Sequence, residues 1–258
     1  MMNFLSPIFT YAARFLMVGI CFCAFYKFDK RDVKKIFILS TLEAFVFYGI
    51  ALSIKNLDSS TTGVMTKIDI VLTMVFASLT LGEKIKTNVI VATILCFVGL
   101  FVINKQIDLS NVPYVLLMVL VAIFSAMANI ITKQIQYTNS MAITVWTSLI
   151  MGIELMIVSM LTENQFVLRP LNLTAIMVFL YLSLVSTFLC YFIFYYTMRK
   201  FLTTITMPLR FLQIVFTIIS GRIILGEALT TSKILGTSII VLGLFVSQMN
   251  GDNKKIKN

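Results

Sequence analysis

Two stretches of the chain repeat each other: LGEKIKTNVIVATILCFVGLFV at residues 81–102 and LGEALTTSKILGTSIIVLGLFV at residues 225–246. They open on the same three residues and close on the same four, without a gap, at an offset of 144 positions. Most of each stretch is apolar, and a helix that crosses a bilayer needs roughly 20 mainly apolar residues. The pair therefore predicts two related copies of one membrane-embedded unit, each with an acidic residue at a helix end.

The composition of the whole chain indicates the class of protein. Of its 258 residues, 59% are apolar and 12% are charged, and the mean hydropathy is +0.97. A soluble domain carries about 25% charged residues, so this chain has too little polar surface to cover a water-facing globule. Soluble enzymes, nucleic-acid-binding domains and disordered proteins are excluded. Because the chain has no histidine, metal sites and catalytic triads that use an imidazole are excluded too.

Apolar runs of spanning length fill most of the chain. Their number predicts an all-α, polytopic transmembrane bundle of about nine helices. Lys and Arg are concentrated in the loops on one side, which predicts a cytoplasmic C-terminus and an N-terminus outside. We expect a plasma membrane, the inner one in a bacterium. The runs are 5–26, 35–54, 60–81, 87–104, 112–132, 140–161, 173–197, 203–224 and 232–249.

The number of runs between the two stretches determines how the copies are oriented. Counted along the runs, the second stretch follows the first by five spans, an odd number, so the copies are inverted relative to each other. We place the first copy at residues 1–106, with four helices, and the second at residues 107–250, with five. Residues 251–258 form a basic cytoplasmic tail. On this count the first copy lacks the first helix of a five-helix unit. Inverted repeats recur in secondary transporters, which bind substrate near the bilayer midplane.

Several short motifs give the chain a family resemblance. They are Pro7, Arg14, Leu81-Gly82-Glu83, Gly99, Pro208-Leu209-Arg210-Phe211, Leu225-Gly226-Glu227 and Gly243. With these motifs the chain resembles the drug/metabolite transporter superfamily, specifically its EamA-type ten-helix permeases and exporters. The resemblance covers nearly the whole chain and implies a small-molecule substrate. Residues 208–227 and 126–131 also resemble the S-adenosylmethionine permeases of the same superfamily.

Six ionisable residues fall near the middle of the predicted helices: Arg14, Glu43, Lys67, Asp69, Glu154 and Arg210. Each would cost roughly 2.5–3.5 kcal/mol if it faced lipid, so we expect them to line one shared polar cavity. Their charges balance, which favours a zwitterion such as an amino acid. Gln213, on the same helix face as Arg210, and Asn129, Trp146 and Tyr191 complete the candidate substrate-binding residues.

Each candidate residue also has a structural explanation. The ions can pair with one another and only tie helices together, and the aromatic residues can pack or form an interfacial belt. Pro208 is either an ordinary kink or an interruption that opens the backbone for a ligand. We interpret Glu83 and Glu227 as structural, as caps or inter-helix bonds, and Gly99 and Gly243 as permitting close helix approach.

These observations predict a secondary transporter for a small polar metabolite, with amino acids first and S-adenosylmethionine second. The alternative from another class is a non-transporting membrane scaffold or a truncated gene product. No constellation of acid, base and nucleophile indicates an enzyme. The partners are a small-molecule substrate and the lipid bilayer, not nucleic acid, and a homodimer is left open. The four cysteines lie in apolar runs at spacings that predict neither a disulfide nor a metal, so we expect no cofactor.

Overall fold

The fold is helical throughout the part of the chain that the structure describes. The computed structural model describes residues 7–104, 109–163, 173–226 and 228–248, and every regular element in these ranges is a helix. The predicted all-α, polytopic bundle is therefore confirmed. Its helices are α1 (Pro7–Phe22), α2 (Val33–Asn56), α3 (Ser59–Met65), α4 (Ile68–Leu81), α5 (Thr87–Ile103), α6 (Val112–Gln134), α7 (Ser140–Thr162), α8 (Leu173–Tyr181), α9 (Cys190–Lys200), α10 (Thr203–Leu209), α11 (Leu212–Leu225) and α12 (Thr231–Gln248).

Consecutive helices join into segments of membrane-spanning length. Within the described ranges, 6 segments are long and apolar enough to cross a membrane: Lys30–Asn56, Thr61–Leu81, Val112–Gln134, Ser140–Thr162, Ala175–Lys200 and Thr203–Ile223. Three shorter apolar helices complete the set, at Pro7–Phe22, Thr87–Ile103 and Thr231–Ser247. These segments coincide with the predicted runs. The predicted tail at 251–258 and Glu227 lie outside the described residues.

Two predicted spans are interrupted where the sequence predicts single helices. The run 203–224 divides into α10 and α11 shortly after Pro208, whose missing N–H falls inside α10. The N–H groups of Arg210 and Phe211 bond instead to carbonyls three residues earlier, which makes a tighter turn. The run 60–81 divides into α3 and α4 without any proline, and the Lys67 N–H likewise bonds three residues back. Both breaks leave polar side chains part-way along a span.

A third irregularity lies in the predicted run 173–197. Between α8 and α9 the chain forms a π-helical segment, Leu182–Leu189, in which hydrogen bonds close wider rings than in an α-helix. The Thr187 hydroxyl also donates to the Leu182 carbonyl oxygen at 2.9 Å, five residues earlier. Such segments occur often at functional sites, and the sequence gives no local sign of this one.

The helices divide into two compact units, each of which draws on both halves of the sequence. Unit 1 comprises Met1–Lys55 and Met127–Arg199, and unit 2 comprises Asn56–Ala126 and Lys200–Asn258. The two boundaries after Lys55 and Arg199 are separated by the same offset as the repeated stretches. The two compact units therefore do not correspond to the two predicted sequence copies, which divide between residues 106 and 107.

In unit 1, small residues bring α1 and α7 into close antiparallel contact. A Cβ added at Gly19 would lie 2.6 Å from the Leu149 Cα, and one added at Gly152 would lie 2.7 Å from the Leu16 nitrogen. Neither position has room for a side chain. Small residues let helix backbones approach closely in membranes, where dispersion contacts replace the hydrophobic effect as the driving force.

The helix starts in unit 1 are held by acidic residues from the far side of the sequence. The Glu163 carboxylate accepts hydrogen bonds from the N–H groups of Ile8 and Phe9 at 3.4 and 3.2 Å, at the start of α1. Asp32 accepts from the N–H groups of Tyr137 and Thr138 at 2.9 and 2.8 Å, in the turn before α7. The charge of Glu163 complements the unsatisfied N–H groups at the start of α1, whereas Asp32 holds the turn that precedes the N-cap of α7.

In unit 2, the two repeated stretches pack against each other as α5 and α12. A Cβ added at Gly99 would lie 2.6 Å from the Gly236 oxygen, and one added at Gly243 would lie 2.9 Å from the Ala92 oxygen. In the register of the repeat, position 236 corresponds to 92 and position 243 to 99. The crossing of α5 and α12 therefore has approximate two-fold symmetry, which interchanges the two stretches. Gly99 and Gly243 permit the two helices to approach closely, as the sequence predicts.

The repeated Leu-Gly-Glu motif ends a helix in each stretch. α4 stops at Leu81 and α11 stops at Leu225, and the following Gly82 and Gly226 have φ of 66° and 67°. This left-handed conformation is the usual helix stop for glycine, which has no Cβ to oppose it. The N–H groups of Gly82 and Glu83 both bond to the Ala77 carbonyl, the second at 3.3 Å, and this closes the end of α4.

Candidate functional site

Unit 2 gathers four predicted site residues around its two helix breaks. The Asp69 Oδ2 accepts hydrogen bonds from the Arg210 Nη1 at 2.5 Å and from the Ser125 Oγ at 2.8 Å. The Lys67 Nζ donates to the Gln213 Oε1 at 2.8 Å. Lys67 is 8% exposed and Asp69 is 2% exposed, whereas the Arg210 side chain is 30% exposed. We call Lys67, Asp69, Arg210 and Gln213 the break cluster.

The break cluster follows the symmetry of the repeat. At the offset of the two stretches, Asp69 corresponds to Gln213, and the break at Lys67 corresponds to the break at Phe211. Each break supplies one cation. Lys67, at the first break, bonds to Gln213 after the second break, and Arg210, at the second break, bonds to Asp69 after the first. The exchange ties α4 to the region of α10 and α11, and it brings charged groups together where both helices lack continuous backbone hydrogen bonding.

Glu83 holds the start of α10 in the same unit. Its carboxylate accepts from the Thr203 N–H at 2.8 Å and from the Thr203 hydroxyl at 3.2 Å. The interpretation of Glu83 as a structural cap is therefore confirmed. Since α10 leads into the break at Arg210, this cap also helps to position the break cluster.

In unit 1, Arg14 of α1 reaches the π-helical segment. Its Nε and Nη2 donate to the Thr187 Oγ1 at 3.3 and 2.9 Å. The guanidinium also lies 5.7 Å from the ring centroid of Tyr11 and 6.0 Å from that of Phe15. No carboxylate forms an ion pair with Arg14 in the described part of the chain. A half-buried cation held by a hydroxyl and aromatic rings is well suited to attract an anionic or polar ligand group.

Tyr191 belongs to a group of aromatic side chains beside Arg14. Its ring centroid lies 5.8 Å from that of Phe15, 6.5 Å from that of Phe47 and 5.6 Å from that of Tyr195. The spacings are those of edge-to-face and tilted aromatic packing. Tyr191 is therefore placed by core packing, and it shares Phe15 with Arg14.

The other predicted residues of unit 1 lie on α2, α6 and α7. The Glu154 Oε1 accepts from the Thr41 hydroxyl at 2.7 Å. Glu43 and Asn129 are buried in α2 and α6, at 8% and 2% exposure. The Trp146 indole N–H donates to the Tyr26 carbonyl at 2.7 Å, so its polar atom holds the loop after α1. The single cavity expected for all ten residues stays a prediction.

Sequence reasoning missed the hydroxyl groups that complete both sets of contacts. Ser125 shares the Asp69 carboxylate, Thr187 accepts from Arg14, and Thr41 donates to Glu154. Hydroxyl residues are common in membrane helices, where they often bond to their own backbone, so nothing in the local sequence separates these three from the rest. Their hydrogen bonds to the site residues depend on which neighbouring helix each hydroxyl faces, and only the structure shows this.

The apolar helical spans define a polytopic membrane protein, and in unit 2 the Asp69–Arg210 ion pair lies part-way along them. The sequence pattern of the EamA-like transporter family matches this chain over residues 1–105 and 112–249. The chain therefore belongs to the EamA-like transporter family.

Two relatives and one solved structure illustrate the similarity. A probable amino-acid metabolite efflux pump of Salmonella typhimurium is 27% identical over 68% of this chain. An S-adenosylmethionine uptake transporter of Rickettsia conorii is 30% identical over 71% of this chain. The matched stretch spans 62% of the length of each relative. A crystal structure at 14% identity superposes with a TM-score of 0.79 over 95% of this chain and 88% of its own, which shows the shared fold.

Proposed function

We propose that this protein is a secondary transporter that moves a small polar metabolite, an amino acid or a derivative of one, by alternating access. The observation that carries the proposal is the break cluster in unit 2, where Lys67 and Asp69 are buried between two interrupted helices. Interrupted helices with charged groups at mid-span are the usual construction of substrate sites in transporters. Buried ions in a membrane are costly, and they are retained mainly where function needs them.

The names of the relatives support the substrate class. One is described as an amino-acid metabolite efflux pump and the other as an S-adenosylmethionine uptake transporter. An amino acid and S-adenosylmethionine share an α-ammonium and an α-carboxylate group, which a cluster of mixed charges can bind. Arg14 and the aromatic group around Tyr191 supply a second polar and aromatic surface, within unit 1.

Transport by purified protein tests the proposal. The protein is reconstituted into liposomes, and the uptake of labelled proteinogenic L-amino acids and of labelled S-adenosylmethionine is compared with uptake into empty vesicles. We expect at least one amino acid to enter faster than into empty vesicles, and Asp69→Asn to abolish the difference. Asp58→Asn is the matched control, because Asp58 is exposed in the same unit and its side chain makes no capping hydrogen bond.

S-adenosylmethionine is the second candidate substrate. The 30% identity to the uptake transporter of Rickettsia conorii favours it. Uptake of S-adenosylmethionine without uptake of any amino acid would favour this candidate. If neither compound moves faster than in empty vesicles, the proposal fails and the non-transporting scaffold is the better interpretation.

The orientation of the chain belongs to the same proposal. The distribution of Lys and Arg favours a cytoplasmic C-terminus and an outside N-terminus in a plasma membrane, the inner one in a bacterium. Labelling of single cysteines placed in the loops of whole cells tests the orientation. A homodimer remains an open option that cross-linking in membranes can examine.

A further inference from the structure

Lys67 is a buried cation whose hydrogen-bond acceptor is neutral. The residue is 8% exposed, and its ammonium donates to the amide oxygen of Gln213. In the described part of the chain no carboxylate oxygen lies within 4.0 Å of its Nζ. The nearby Asp69 gives its Oδ2 to Arg210 and Ser125. Burying an ammonium without an anionic partner is costly, so this charge is only partly compensated.

Lys67 and Gln213 both lie at junctions between two helices, α3 and α4 for Lys67 and α10 and α11 for Gln213. Lys67 is itself the N-cap of α4, and Gln213 lies at the second position of α11. The N-terminal end of a helix carries a partial positive charge, which favours anions and disfavours cations. Neither N-cap makes a side-chain capping hydrogen bond. Because α3 and α10 end at the same junctions, with the opposite partial charge, the helix ends do not replace the missing anionic partner of Lys67.

We propose that Lys67 binds the carboxylate group of the transported substrate. This inference rests on the proposed function and adds the chemical group by which unit 2 recognises its ligand. Asp69 offsets the charge of Arg210, which leaves the single charge of Lys67 for a monovalent anion. A carboxylate carries one negative charge and accepts hydrogen bonds from both an ammonium and backbone N–H groups. Gln213 holds the ammonium in place when no substrate is bound.

The first experiment tests the site without any ligand. Gln213→Glu places a carboxylate against Lys67 inside the chain, with almost no change in shape. If Lys67 carries an uncompensated charge, the variant in detergent or nanodiscs should melt at a higher temperature than the native protein, by roughly 2–4 °C. Gln213→Met is the matched control, which removes the acceptor without adding charge, and its Tm should fall. A Gln213→Glu variant that melts at or below the native temperature would overturn the proposal.

The second experiment tests the carboxylate in transport. The probe is the labelled amino acid that the native protein moves fastest, with its unlabelled free acid, its methyl ester and sodium chloride as competitors. We expect the ester to compete about tenfold more weakly than the acid, because it lacks the charge that Lys67 binds. Lys67→Met and Gln213→Glu should remove this preference, while Lys84→Met, an exposed lysine in the same unit, should keep it.

The outcomes separate this inference from the proposed function. Equal competition by acid and ester would overturn the carboxylate assignment while leaving the protein a transporter. Competition by chloride equal to that by the acid would also overturn it, because the site would then take any small anion. If no compound is transported, the proposed function fails. The Tm of Gln213→Glu still decides whether the charge of Lys67 is uncompensated.

Discussion

The Cys96 Sγ lies 3.7 Å from the carbonyl oxygen of Ile240, and the two residues occupy the same position in the two repeated stretches. A contact between equivalent positions lies on the axis that relates them. On either side of it, Gly99 contacts Gly236 and Gly243 contacts Ala92. These two contacts join equivalent positions with the two stretches interchanged, as a two-fold axis requires. In unit 2 the two repeated stretches therefore form a symmetric helix pair, α5 and α12. The contacts in the break cluster are related by the same approximate symmetry.

The tight crossing of α5 and α12 should be sensitive to one added methyl group. Gly99→Ala should destabilise the protein by about 1–3 kcal/mol, because its Cβ would lie 2.6 Å from the Gly236 oxygen and backbone cannot give way cheaply. Thermal unfolding in nanodiscs measures the loss. Gly63→Ala is the control, since nothing lies within 4 Å of its added Cβ. Equal stability of the two variants would contradict the close crossing.

The Asp69–Arg210 ion pair should show strong energetic coupling. Asp69→Asn and Arg210→Gln should each destabilise the protein, because each leaves a partner without its counter-charge. The double variant should lose less than the sum, with a coupling energy of roughly 1–3 kcal/mol. Unfolding of the native protein, both single variants and the double variant gives this energy. A coupling near zero would show that the pair is formed but contributes nothing.

Thr187 should matter for transport through Arg14. Thr187→Val keeps the shape but removes the oxygen that accepts from the Nε and Nη2 of Arg14. We expect a loss of roughly 1–2 kcal/mol in stability, because hydrogen bonds to charged groups are strong and Arg14 is only half-buried. Uptake into proteoliposomes should fall with it. The matched control is Thr197→Val, whose hydroxyl bonds to carbonyls of its own helix, and a similar loss there would argue against a specific role.

Glu83 should stabilise α10 by capping its start. Glu83→Ala should lower stability by about 1 kcal/mol, because the Thr203 N–H loses its acceptor at 2.8 Å. Glu83→Gln keeps an acceptor oxygen and should retain most of that stability. Both are compared by thermal unfolding. If the alanine and glutamine variants lose equal stability, charge rather than hydrogen bonding holds this helix start.

Much of the fold could be predicted from the sequence because its signals are local. A run such as 112–132 is apolar over the thickness of a bilayer, and the repeated stretches at 81–102 and 225–246 align by identity alone. An irregularity in the span at 203–224 could also be predicted, because Pro208 lacks a backbone donor, although the break itself falls after it, at Arg210 and Phe211. The break before α4 was not, since no residue there forbids a helix.

The partners of the site residues depended on packing. Asp69 and Arg210 are 141 positions apart, and residues two apart such as Lys67 and Asp69 turn to different partners. The sequence placed both at mid-span but could not say which cation meets which acceptor, because that follows from how helices distant in the chain pack together.

The sequence by itself determined that this chain is a helical membrane protein built on a repeat, since hydropathy and identity are read position by position. Only the tertiary structure decided that Arg210 takes the carboxylate of Asp69 while Lys67 faces the neutral Gln213. The reason is that a hydrogen bond needs two atoms within about 3 Å of each other, and that proximity is set by helix packing rather than by order along the chain.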